Sequence, residues 1–253
     1  MEEITVILNG YRRPEYIKEQ IKAIKAQSVK PKEIWVWVNR SDTKFQDALI
    51  TEHSYDLRHH VDVVVDSSRN FKYHGRFALG LLAKTKYVAF FDDDTIPGVN
   101  WFKNCIDTMN THPNSILGGA GVLLFSDKYV NHQRFGWPSP LPYAQEVDLI
   151  GHAWFLERST LSNLWTEIPC SFDNGEDIQL CFASWLNKGI KTYTPPHPAD
   201  DKTLWSSLKA WEYGNDQKAS SNGSLMPVMV FYDQRDKVMK HYFDKGYKPV
   251  LFR

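Results

Sequence analysis

Cysteine is scarce. The chain has 253 residues and three cysteines, Cys105, Cys170 and Cys181. The number is odd and no CxxC spacing occurs, which argues against a disulfide framework and a structural zinc site and suits a reducing compartment. Charge of one sign is also missing, because thirty Lys and Arg balance thirty Asp and Glu. A chain that lives on nucleic acid shows a basic excess, so nucleic acid is not an expected partner. No window approaches the roughly 18 apolar residues of a membrane span. The opening residues, MEEITVILNG, are acidic and pass straight into a strand-like run, without the basic and apolar regions of a signal peptide. A cytoplasmic protein without a membrane span is the expectation.

What is present suits a packed core. Hydrophobic residues make up 42% and charged residues 24%, a balance that disfavours disorder. Aromatics reach 14%, with nine Trp. These serve as large core residues or as ring faces that stack on sugars and bases.

Strand and helix signals alternate through the first half. Ile4–Leu8, Ile34–Val38, Val61–Val65 and Tyr87–Phe91 are short runs with strand character. Between them, Pro14 opens a segment with Ile17, Ile21 and Ile24 on one helical face, and 75–84 forms a second helical segment. This order predicts parallel strands with crossover helices on both faces, and ligands beyond the carboxyl ends of the strands. Three polar clusters fall at those ends: Asn9 to Arg13, Asp66 to Asn70, and Asp92 to Thr95. The second half is more mixed. It predicts a strand over 116–125 kinked at Gly118-Gly119, a loop over 135–143, a strand over 147–156 and a short helix over 159–165. A helix carrying Ile178, Cys181, Phe182, Trp185 and Leu186 stops at Gly189. A strand over 190–193, a late helix with Leu204, Leu208 and Trp211, and a Ser/Gly/Asn-rich stretch over 215–224 complete the chain.

The run YVAFFDDDTIPG sets three carboxylates at the end of an apolar strand. Three adjacent ionised carboxylates repel one another unless a cation neutralises them. Mg2+ or Mn2+, hard ions that prefer oxygen, suit that task and leave sites for phosphate oxygens. Alternation along extended backbone points Asp92 and Asp94 one way and Asp93 the other. Glu176 and Asp177 form a second acidic station, after Asn174 and Gly175 at the start of a helix. Acidic residues there stabilise a helix N-terminus whatever else they do.

Three segments in order carry a resemblance to a family. They are ITVILNGYRRPEYIKEQIKAIKAQS followed by IWVWVN, then SSRNFKYHGRFALGLLAKTKYVAFFDDDTIPG, then NGEDIQLCFASWLNKGI. Together they resemble the GT-A glycosyltransferases, particularly the family 2 type, and are similar also to exostosin-like glycosyltransferases. The likeness spans about residues 4–193. It implies an α/β, Rossmann-like fold with a mixed, mainly parallel sheet flanked by helices on both faces. It also implies a DxD motif in which Asp94 holds Mn2+ or Mg2+ on the donor diphosphate, while Asp92 and Asp93 contact ribose or donor sugar. Asp66 would lie near the base, with Arg69 and Asn70 beside it. Asn9, Tyr11 and Arg12 would flank the nucleotide, and Arg76 would approach the donor from its helix. The first loop departs from the family's Thr-Tyr-Asn-Arg-Pro, reading Asn9-Gly10-Tyr11-Arg12-Arg13-Pro14, which leaves the base open.

In look-alikes the acidic pair supplies the base that takes the acceptor's proton, with Asp177 the first choice here and Glu176 the second. His152 and Trp154 would line the acceptor pocket. His197, in the loop after the strand over 190–193, is a candidate metal or phosphate contact. The implied activity is transfer of a sugar from a UDP- or GDP-linked donor to a hydroxyl of a glycan or other acceptor. Inversion with a carboxylate base is favoured, although exostosin-like relatives retain configuration. The expected organisation is a catalytic domain over 1–200, with a donor half to 98 and an acceptor half from 99, and a helical extension over 201–253. Two rivals stand beside it. A phosphoryl-transfer enzyme or phosphatase would use Asp92–Asp94, because FFDDDTI nearly matches a strand followed by DxDxT. A sugar-binding module without turnover would keep the fold alone.

Overall fold

The computed structural model describes residues 3–11, 13–40, 57–213 and 227–253, with the side chains of residues 210 and 211 left out. Nine strands form one mixed sheet in the order β3-β2-β1-β4-β8-β5-β9-β7, with β6 paired to β5. Its first half is β1 (Ile4–Gly10), β2 (Glu33–Val38), β3 (Val63–Asp66) and β4 (Tyr87–Phe91), all mutually parallel. The sequences ITVIL, IWVWV and YVAFF are apolar on both sides, apart from Thr5, whose hydroxyl meets that of Thr85, because both faces of these central strands are covered. Ile7 and Phe90 enter one core with Trp154, Ile178 and Met239, while Val6, Leu8 and Phe91 enter the opposite core with Ile17, Ile21 and Phe102. Helices therefore lie on both faces.

Helix α1 (Pro14–Lys25) begins with proline at its first position, where the missing N–H costs nothing. Helix α2 (His74–Gly80) leads into β4. The expected late helix does not form as one unit. A 3-10 turn at Lys202–Leu204 and the one-turn helix α5 (Ala210–Tyr213) stand there, and the 215–224 stretch lies outside the described residues. Helix α3 (Trp101–Thr111) was not anticipated, although Trp101, Phe102, Cys105 and Met109 bury one side of it.

The second half turns antiparallel. Strand β5 (Ile116–Leu124) pairs with β6 (His132–Gly136), so the expected loop over 135–143 begins inside a strand. The expected strand over 147–156 is two, β7 (Gln145–Val147) and β8 (Leu149–Glu157), with buried Asp148 between them. Asp148 accepts from the backbone N–H of Leu124 and Val250 and from the Tyr247 hydroxyl, so its carboxylate turns the chain and anchors the C-terminus. The Gly118-Gly119 kink is a bulge. The β5–β8 register shifts there, and a Cβ on Gly118 would lie 2.4 Å from Ile150. Strand β9 (Thr192–Thr194) follows α4 (Glu176–Lys188), which Gly189 ends at a φ of 64°.

The long helix α6 (Val228–Asp244) is followed only by a short 3-10 turn at Val250–Phe252. It lies against α4 through Val238, Met239 and Tyr242. Gly175, which precedes α4, has a φ of 92°, and a Cβ there would sit 2.7 Å from Val238. Only glycine meets both demands. Among the described residues no helix is long and apolar enough to cross a membrane.

Candidate functional site

The carboxyl ends of β1 and β4 open into a cleft, where ligands of such sheets bind. Its walls include Asn9, Tyr11, Asp92, Asp93, Asp94, His152, Trp154, Glu176 and Asp177. Of the residues expected from the sequence, these and Arg76 thus face one space.

Register explains the acidic end. Strand β4 pairs antiparallel with β8, Phe91 opposite Ala153, and the Asp92 N–H donates to the His152 carbonyl at 3.0 Å. That pairing lays the His152 ring beside the carboxylates. Its Nδ1 is 3.9 Å from Asp92 Oδ2 and 3.8 Å from Asp94 Oδ1. Helix α1 fixes the turn from below. Gln20 Nε2 donates to the carbonyls of Asp92 and Thr95 at 2.7 and 2.8 Å. Asp92 and Asp94 face His152, while Asp93, in a turn just beyond the strand, takes Arg13 Nη1 at 2.7 Å. Arg13 also reaches Asp94 at 3.3 Å.

Asp92, Asp94 and His152 place one ligand atom each within 4.8 Å of one another, a set able to hold a metal ion. Two carboxylate oxygens and one imidazole suit Mn2+, which accepts both donor types more readily than Mg2+ does. Burial pushes the Asp94 carboxyl up, but neighbouring His152, Arg13 and Thr95 outweigh it and hold the group below its ordinary value. A ligand kept ionised is one a cation can use.

His197 is not in this group, which corrects the expectation of a metal contact. The ring is fully buried, with Nδ1 2.8 Å from the Pro195 carbonyl, so that Nδ1–H donates there. Nε2 accepts from the Ser206 N–H at 3.2 Å and lies 2.8 Å from the Ser206 hydroxyl. No lone pair is left for a metal. Burial, opposed by the Pro195 carbonyl, lowers its pKa to about 4, so the ring is neutral. His197→Phe is expected to cost about 2 kcal/mol in denaturant melts, the loss of a buried hydrogen-bonded group, with unchanged Mn2+-dependent UDP affinity. Weakened Mn2+ affinity would return His197 to the metal.

Arg76 stands between the two acidic stations. Its Nη1 is bonded to Asp92 and its Nη2 lies 3.4 Å from Glu176 Oε1. Its guanidinium stacks over the Trp154 ring at 4.5 Å. Burial pushes Glu176 up, Asp177 adds to the push, and Arg76 and Arg235 pull the other way, leaving its pKa at about 7. Asp177 is held by Arg235 of α6, Nη2 to Oδ2 2.7 Å. Trp154, although it lines the cleft, is almost wholly buried. His152, expected on the acceptor side, belongs with the carboxylates.

The remaining nucleotide residues are placed unevenly. Tyr11 lines the cleft and its hydroxyl accepts from Asn70 Nδ2 at 3.0 Å. Asn70 in turn is held by Asn39 at 3.0 Å. Asp66 is exposed and paired with Arg40, and Arg69 is exposed over the Phe71 ring, so neither lines the cleft. Arg12 lies outside the described residues. Gln20, Tyr129 and Arg235 lie outside the expected site residues, and Arg13 belongs to the expected polar cluster without a role assigned to it. Gln20 had a readable signal, because it is polar on the apolar side of α1.

Comparison with known proteins agrees. A family model described as Glycosyl transferase family 2 matches residues 5–162. No curated protein sequence matches. Among solved structures, the chain is similar to S. aureus TarS 1-349, with a TM-score of 0.51 and 17% identity over 78% of this chain and 61% of that one. The same protein in complex with UDP gives a TM-score of 0.52 at 18% identity, over 76% and 60%. Against the chain titled TarS alone, the TM-score is 0.52, over 77% of this chain and 36% of that one. This chain therefore spans about three fifths of the TarS 1-349 chains, and at such identity the likeness speaks for the fold alone. The family match runs from β1 through β8 and covers more than half of the residues, so the chain belongs to glycosyl transferase family 2 and has the GT-A fold.

Proposed function

We propose that this protein transfers a sugar from a nucleoside-diphosphate donor to an acceptor hydroxyl with inversion, and that a divalent cation on Asp92, Asp94 and His152 is part of the site. One observation carries the reading: the cation-capable group and the Glu176-Asp177 pair line the same cleft, joined through Arg76. Mn2+ or Mg2+, when bound, would act as a Lewis acid on the leaving diphosphate. The chain's own residues do the rest. Asn9 and Tyr11 receive the nucleotide at the end of β1. Arg13 keeps Asp93 and Asp94 in place. Asp177 takes the proton of the acceptor hydroxyl, since a neutral alcohol is a poor nucleophile.

The UDP complex of TarS makes UDP-linked sugars the first donors to test, with GDP-linked sugars second. The test is a panel of UDP- and GDP-sugars with and without Mn2+, followed by release of nucleoside diphosphate. Mn2+-dependent release from at least one donor is expected. Silence across the panel, with no binding by calorimetry, would overturn the proposal, and phosphate transfer to Asp92 would favour phosphoryl chemistry instead.

A further inference from the structure

We propose that Arg235, on the C-terminal helix, is a positioning residue for Asp177. The inference rests on the sugar-transfer reading with Asp177 as base, and adds to it a residue beyond the family-matched span.

The base sits on a surface that α6 provides. Phe231, Arg235, Val238 and Tyr242 follow one another at helical spacing, and that side of α6 faces α4. Val238 covers Gly175, the residue before the acidic pair. Arg235 then reaches the pair itself. Its Nη2 donates to Asp177 Oδ2 at 2.7 Å and its Nη1 to Asn174 Oδ1 at 3.1 Å. The two ion-paired side chains are only 6% and 10% exposed, so little solvent screens the contact. The guanidinium packs over Tyr129 at 4.2 Å and Phe231 at 5.4 Å.

Asp177 is thereby held at both oxygens, Oδ2 by Arg235 and Oδ1 by the Ile178 N–H at 2.8 Å. A carboxylate gripped at both ends has one orientation, and a base must meet its proton at hydrogen-bond distance. The arrangement gives Asp177 a fixed direction and keeps it from turning toward Arg76 and joining Glu176. Burial opposes the charge on Arg235, and Asp177 outweighs burial, so the guanidinium stays protonated.

Removing the charge outright would leave Asp177 buried and unpaired, a general cause of instability. Arg235→Lys is therefore the main variant, because it keeps the cation but loses the planar fork. In the full chain with Mn2+, UDP release from UDP-N-acetylglucosamine, UDP-glucose and UDP-galactose is followed by steady-state kinetics, and UDP binding by calorimetry. Arg235→Lys is expected to lower kcat about 10²-fold, the cost of a misplaced catalytic group. The donor KM and UDP affinity should stay within about twofold, because the reacting group alone has moved. In the double variant with Asp177→Asn, kcat should fall no further than in Asp177→Asn alone. Asn174→Ala, which loosens the guanidinium but keeps the ion pair, is the milder second variant. A fall of several-fold in kcat is expected there. Wild-type kcat in both single variants overturns the assignment alone. Weakened UDP binding with kcat unchanged overturns it too, and moves Arg235 to the donor phosphates. A wild type that releases UDP from none of the sugars fails the sugar-transfer reading itself, and this inference with it.

Discussion

Asp177→Asn is expected to lower kcat for sugar transfer by about 10²–10⁴-fold, the range general-base catalysis supplies, while UDP binding in the presence of Mn2+ stays within about twofold. The substitution is nearly isosteric. The amide oxygen can still accept from Arg235 Nη2, so the hydrogen bond between α4 and α6 survives, at the cost of the bond that Oδ1 accepts from the Ile178 N–H. What disappears is the capacity to take a proton. Glu176 does not replace it. Arg76 holds Glu176, and burial beside Asp177 pushes its pKa up, toward the protonated form. Steady-state UDP release from the active donor measures the effect, and thermal melts establish that the variant is folded. Turnover equal to wild type would remove Asp177 from the mechanism. A parallel Glu176→Gln variant separates the two carboxylates. If it alone loses turnover, the base is Glu176 and the Arg235–Asp177 pair only holds the helices together.

The sequence reveals the first half of the fold because its signals are local. An apolar strand that is buried on both faces looks the same from sequence and structure, and YVAFF is β4 residue for residue. The acidic motif could be read for the same reason, since strand, carboxylates and turn lie within one short run. Pairing across the sheet cannot be read that way. That β8 runs antiparallel beside β4 is what sets His152 next to Asp92, and no feature of DLIGHAWFLER announces its neighbour. The same blindness misplaced His197. A histidine in a loop after a strand resembles a ligand until Pro195 and Ser206 are seen to occupy both nitrogens. Asp148 divided an expected strand because its partners, Leu124, Tyr247 and Val250, come from distant parts of the chain. Arg235 was beyond reach for that reason as well, with Asp177 lying 58 positions away in sequence. Helix α3 is a different case. Its stripe of Trp101, Phe102, Cys105 and Met109 was visible, and polar residues between these positions masked it.

Asp94→Asn is expected to weaken Mn2+-dependent UDP binding by at least about 10²-fold, with UDP binding in EDTA little changed. The argument is one of charge. The cleft walls carry five carboxylates, Asp92, Asp93, Asp94, Glu176 and Asp177, against four guanidiniums, Arg13, Arg76, Arg134 and Arg235. Three of those four already face carboxylates, Arg13 on Asp93, Arg76 on Asp92 and Arg235 on Asp177. At the acidic turn itself a diphosphate meets three carboxylates against two guanidiniums, Arg13 and Arg76, and repulsion in a partly desolvated cleft is far stronger than in water. A divalent cation reverses the local sign, but only where anionic ligands hold it. Asp94 is the ligand best prepared for that task. It is nearly buried and sits between Arg13 and His152, which help hold it below its ordinary pKa although burial pushes it up. With Asn there, the site keeps one carboxylate and one imidazole, one negative charge fewer for a hard ion that favours anionic oxygen. Titration of UDP into wild type and variant, with Mn2+ and with EDTA, reads the loss directly. If the two proteins bind UDP equally well with Mn2+, the cation does not sit on Asp94, and the acidic turn acts through its hydrogen bonds alone.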